Sequence, residues 1–100
     1  MDSSAAFTHR TGMYEAAGFK LRQRVNMLTE TKGADHEDIE HTLAPGSEGI
    51  IECIEHLAPP QGLTFTIWIP VNEPEGRGIV NVFDEGDGQI CNFITAKETS

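Results

Sequence analysis

The most regular hydrophobic pattern in the chain is Leu63-Thr64-Phe65-Thr66-Ile67-Trp68-Ile69, apolar at every odd position with Thr64, Thr66 and Trp68 between. A two-residue period sends alternate side chains to opposite faces of an extended backbone, so this segment predicts a strand with one face in the core. The same reading predicts a first strand over Phe19–Leu28. There Phe19, Leu21, Val25 and Met27 share one parity and the cations Lys20, Arg22 and Arg24 share the other, giving a basic outer face. The apolar runs Ile50–Leu57, Gly78–Phe83 and Gln89–Thr95 supply three more strands. Turn chemistry separates them: Ala44-Pro45-Gly46-Ser47-Glu48-Gly49, Pro59-Pro60-Gln61-Gly62, Asn72-Glu73-Pro74-Glu75-Gly76, and Asp84-Glu85-Gly86-Asp87-Gly88, the last read as a hairpin turn.

Two stretches lack a sustained period. Residues 1–18 mix small and polar residues with Phe7, Met13 and Tyr14, which predicts a flexible N-terminal arm ahead of one domain over 19–100. Residues 29–48 read as a long polar loop. Its middle suits a single helical turn starting near Asp35, a good N-cap residue, and residues 97–100 are expected to fray. Five short strands with no helix long enough for a parallel crossover predict a mainly all-β fold, a five-stranded antiparallel SH3-like barrel. Closure of such a barrel removes exposed sheet edges.

Length limits the chain to one core, since 100 residues leave little apolar material for a second. A net charge of −9 disfavours nonspecific contact with nucleic acid or an anionic membrane, whose phosphates repel it. The charge is two-ended: residues 1–32 hold five Lys and Arg against three acids, whereas residues 33–100 hold two against thirteen. No run approaches the roughly 20 apolar residues of a membrane-spanning helix. Met1-Asp2-Ser3-Ser4 has no basic, apolar leader pattern, so a cytoplasmic location and no membrane partner are expected. Cys53 and Cys91 lie in separate apolar runs without CxxC spacing and are expected to be buried thiols.

The segments Arg24-Val25-Asn26-Met27-Leu28, Leu43 to Ile54 with its Pro45-Gly46-x-x-Gly49 entry, and Val82-Phe83-Asp84-Glu85 resemble SH3-like barrels of the KOW and electron-transport-accessory type. That group includes the barrel domain of the nitrile hydratase β chain and the small photosystem I subunit of this fold. The resemblance covers residues 20–96. It implies a barrel that serves as an accessory or docking subunit, and it transfers no active site. The aromatic-rich motif of proline-peptide-binding SH3 domains is not present, although Trp68 could act as a lone aromatic anchor.

Four groupings could carry chemistry. Asp35-His36-Glu37-Asp38-Ile39-Glu40-His41 gathers metal-ligating residue types, with His36, Glu37, Glu40 and His41 as the candidate metal ligands. The second histidine comes at i+5, off the helical face that HExxH uses, so a solvated loop is expected. The turn Asp84–Gly88 lacks the downstream glutamate of a calcium loop. Cys53 with His56 or His41 is the one nucleophile and base arrangement, and a spacing of three on one strand points Cys53 and His56 to opposite faces. Lys20, Arg22 and Arg24 form a stripe that could meet phosphates, or an acidic surface including Glu52, Glu73 and Glu75 on a second copy. Trp68 stands opposite the regular apolar row, where Ile50 and Val80 or Val82 could join it in an interaction patch. The sequence therefore predicts a non-catalytic interaction or accessory module with no cofactor, paired with itself or with a protein partner through Trp68, Lys20, Arg22 and Arg24. The alternatives are a nucleic-acid-associated barrel and a small metal-dependent protein.

Overall fold

A computed structural model describes residues 13–97. Among the described residues nine strands follow in chain order: β1 (Glu15–Ala16), β2 (Phe19–Lys20), β3 (Arg24–Met27), β4 (Thr31–Ala34), β5 (Glu40–Leu43), β6 (Glu48–His56), β7 (Leu63–Asn72), β8 (Arg77–Asp84) and β9 (Ile94–Ala96). Five form one antiparallel sheet in the order β8-β7-β6-β3-β9, and β1-β2 and β4-β5 are separate two-stranded ribbons. Antiparallel pairing and the mainly β composition agree with the sequence reading.

The odd-numbered row of β7 is the centre of the core. Phe65, Ile67 and Ile69 are fully buried and Leu63 nearly so, packed with Val25, Met27, Ile51, Ile54, Ile79 and Ile94. Each such side chain removed from water contributes about 1.5–3 kcal/mol. In β6, no strict alternation can bury both Ile51 and Ile54. The register slips between Ile51 and Cys53, where Ile51 faces Ile67 but Cys53 faces Thr66. This bulge at Glu52 lets Ile51 and Ile54 both turn inward while Ile50 and Cys53 turn outward.

Several expectations change. The predicted strand over Phe19–Leu28 is interrupted: a tight turn closes between Lys20 and Gln23 through Gln23 N–H donating to the Lys20 carbonyl at 3.1 Å. Arg22 sits in that turn with φ of 71°, in the left-handed region. The alternation survives because Phe19, Val25 and Met27 are buried on both sides of the break. Of the arm expected over 1–18, residues 1–12 lie outside the described residues and 13–18 are structured. Ala17 and Gly18, with φ of 54° and 85°, close a two-residue hairpin that pairs Ala16 with Phe19, and Met13 and Ala16 pack on the core. Phe7 lies outside the described residues.

The polar loop expected at 29–48 contains a hairpin, β4-β5, in register from Thr31 opposite Leu43 to Ala34 opposite Glu40. Asp35 caps backbone N–H groups as expected, but those of a hairpin turn: its Oδ1 accepts from Glu37 and Ile39 at 2.8 and 3.1 Å. The same Asx chemistry serves a turn as readily as a helix start. Asp84–Gly88 is not a hairpin turn, because β8 pairs with β7 whereas β9 pairs with β3. The chain instead passes through a 3-10 turn at Ile90–Asn92, and the last strand shortens to Ile94–Ala96. Phe83 and Phe93 stack there with centroids 5.2 Å apart, linking the end of β8 to the entry of β9.

Candidate functional site

The outward face of β6, β7 and β8 carries two cross-strand rows. One runs Arg24, Ile50, Trp68, Val80 across four strands and the other Cys53, Thr66, Val82 across three. Direct opposition across an antiparallel pair brings such side chains into contact. Val80 and Val82 remain 55% and 57% exposed, and Trp68 is half-buried. Ile50 is buried yet stands apart from the main core, as its place on this second face requires. Gly78 completes the arrangement. A Cβ there would lie 2.5 Å from the Trp68 Nε1, so the indole lies flat against bare backbone.

Beside the indole is a shallow depression of about 530 Å³ lined by Arg22, Glu52, Thr66, Trp68 and Val80. Its rim is ionic. Arg22 donates to Glu52 at 2.8 Å, Arg24 to Glu48 at 2.6 Å and to Glu73 at 2.9 Å, and Lys97 to Glu48 at 3.0 Å. The bonds from Glu73 and Glu48 hold the Arg24 guanidinium firmly charged, and those from Arg24 and Lys97 depress the Glu48 carboxyl against its partial burial. The predicted basic stripe is thus divided: Arg22 reaches the depression from a turn, Arg24 stands on β3 two strands away from Trp68 and outside the lining, and each is engaged by carboxylates. Lys20 ends β2, exposed, and does not line the depression.

The acidic hairpin turn forms a second polar cluster, centred on a cation that the sequence reading passed over. Arg77 donates to Asp35 at 2.8 Å, to Glu37 at 2.8 Å and to Glu75 at 3.4 Å, while His41 Nε2 lies 2.7 Å from the Asp35 carboxylate. Burial pushes the Asp35 carboxyl up, but the bonds from His41, Arg77 and two backbone N–H groups outweigh it and hold it well below the usual carboxylate range. Arg77 is held correspondingly high by Asp35 and Glu37. Of the candidate metal ligands, His41 and Glu37 are drawn to Asp35 and Arg77, and His36 and Glu40 stay exposed. Among the described residues no three metal-ligating side chains converge. The signal for Arg77 was present in the sequence: it is one of two Lys or Arg residues among thirteen acids in residues 33–100.

Both cysteines are free thiols and neither is buried as expected: Cys53 is half-buried on the outward face of β6, and Cys91 is exposed because it falls in the 3-10 turn and not in a strand. Burial and the nearby Glu55 push the Cys53 thiol up, opposite to the activation a nucleophile needs.

No family model matches the chain, and neither the curated proteins nor the solved structures give a match. The features that bear on function are the face around Trp68 and the charges beside it. No helix among the described residues is long and apolar enough to cross a membrane.

Proposed function

We propose that this chain is a non-catalytic protein-interaction module of SH3-like barrel type that associates with a second copy of itself through the outer face bearing Trp68. The carrying observation is that Trp68, Val80 and Val82 form a continuous, partly exposed apolar surface on a rigid three-stranded platform, backed by Gly78. Large rigid aromatics on such platforms are the usual anchors of protein contacts. The barrel reading is supported by the Phe83 and Phe93 stack at 5.2 Å. In a flat sheet the edge strands β8 and β9 would stand four spacings apart, about 19 Å. In this reading the bulge at Glu52 adds twist to β6, which pairs with β3 over Glu48–Ile50 and with β7 over Ile50–His56.

The polar residues that suggested chemistry have structural partners: Asp35, His41 and Glu37 fasten the hairpin turn to Arg77. The arginines that suggested phosphate contacts meet Glu52, Glu48 and Glu73. Light scattering across a concentration series tests the proposal. Wild-type protein is expected to dimerise at micromolar concentrations and Trp68→Asp to remain a folded monomer, since the indole points away from the core. A wild-type monomer at several hundred micromolar in low salt would overturn it.

A further inference from the structure

Resting on that reading, we infer that the two copies meet about a two-fold axis and exchange an ion pair there: Arg22 of each copy bonds Glu52 of the partner subunit. A two-fold contact places one patch against itself, so the patch must be its own complement. The Arg22 and Glu52 pair meets that requirement. It presents a positive and a negative end side by side on the wall of the Trp68 depression, with side chains 66% and 37% exposed. Rotation by 180° about an axis that lies in the plane of the face and bisects the pair sets each positive end over a negative one.

Charge elsewhere on the molecule points to the same face. With a net charge of −9, two copies approaching at random repel. The depression is locally balanced: Arg22 stands against Glu52 on its wall, and the cations on the strands beyond, Arg24 and Lys97, are matched by Glu48 and Glu73. An apolar surface framed by balanced charge on an acidic molecule is where a second identical copy meets least repulsion.

The backbone at Arg22 supplies an independent observation. Its φ of 71° lies where glycine is the unstrained occupant of a tight turn. The turn itself uses only the Arg22 backbone N–H, which bonds the Ile51 carbonyl, and leaves the side chain to its exposed contact with Glu52. Strain retained at an exposed position directs attention to what the side chain does.

The test uses charge reversal and mixing, read by sedimentation velocity in low salt with circular dichroism to verify folding. Arg22→Glu and Glu52→Arg should each weaken self-association at least tenfold. An equimolar mixture of the two variants should recover wild-type affinity, because one copy then offers two carboxylates to the other's two guanidinium groups. If either single variant fails to fold, the double variant Arg22→Glu with Glu52→Arg replaces it. That protein should pair with itself but not with wild type. A mixture no tighter than its separate components, or free exchange between the double variant and wild type, overturns the exchanged pair. If Trp68→Asp disperses a dimer that the charge variants leave intact, the Trp68 face stands and the exchanged pair fails. A monomeric wild type removes both.

Discussion

Gly49 and Gly78 show how single residues set both the core and the face. At Gly49 a Cβ would fall 2.7 Å from Ile67 Cγ2 and 3.3 Å from Met27 Sδ, so β6 can cross the core only with no side chain there. Gly49→Ala is expected to destabilise the protein by about 1–3 kcal/mol, the usual cost of overpacking, as read from urea unfolding midpoints. An unchanged midpoint would mean that the entry to β6 is looser than this. The glycines of the Pro45-Gly46-x-x-Gly49 entry were legible in the sequence as a sharp entry to a strand, and Gly46 does take a φ of 98°. The role of Gly78 was not legible, because its need is imposed by an indole ten positions away on the neighbouring strand. Arg22→Gly separates strain from use. Relief of the left-handed φ should raise monomer stability by about 0.5–1 kcal/mol while association weakens. Loss of stability, or association unaltered, would contradict the assignment.

The elements divide according to how local their causes are. Strand β7 was readable because its period comes from its own residues, and the structure buries Leu63, Phe65, Ile67 and Ile69 as the pattern requires. The β4-β5 hairpin was not readable, because it has few large apolar residues and is held by distant ones. Gly33 packs on Ile79, Asn81 donates to the Lys32 carbonyl at 3.1 Å, and Arg77 reaches across to Asp35. Arg77 and Asp35 lie forty-two positions apart in sequence, beyond any local pattern. The pH behaviour of this hairpin follows from the direction of the Asp35 shift. Its folded carboxyl binds protons more weakly than the unfolded one, whose ordinary value is 3.8. The stabilisation is therefore fully present above that pH and is lost as pH falls below it, toward the depressed folded value. Amide exchange at Glu37 and Ile39 should accelerate in acid relative to β7, and Asp35→Asn should bring the same loosening at neutral pH while removing its acid dependence. Protection at those two amides that is unchanged down to the acid unfolding transition would show that the carboxylate is not what fastens the turn.

At the scale of the whole molecule, the decisive quantity is the balance between net charge and the few cations on the rim. Arg22 and Arg24 could in principle leave their carboxylates for a phosphate backbone, since exposed ion pairs of this kind are worth only about 0–1 kcal/mol. Pairing alone does not settle the matter. Binding to nucleic acid draws its affinity from several simultaneous phosphate contacts and the counterions they release. Each phosphate brought to the rim would also approach Glu48, Glu52 and Glu73, which stay in place when their arginines turn away. A chain of net −9 adds repulsion at longer range, over a Debye length of about 8 Å at physiological salt. A second copy offers the opposite bargain. Under the proposed pairing it would bring its own Arg22 and Glu52 and an apolar face, so that the carboxylates would be matched and Trp68, Val80 and Val82 would leave water together. Fluorescence anisotropy with labelled random duplex and single strands at physiological salt is accordingly expected to show no saturable binding below about 100 μM, a Kd that corresponds to a binding free energy of about −5.5 kcal/mol. Trp68 emission, from the single tryptophan in the chain, should instead shift to the blue as protein concentration rises in the same buffer. Micromolar, salt-sensitive binding lost in Arg22→Glu would favour nucleic acid as the partner of this face. An emission maximum independent of concentration would leave the indole uncovered and argue against pairing.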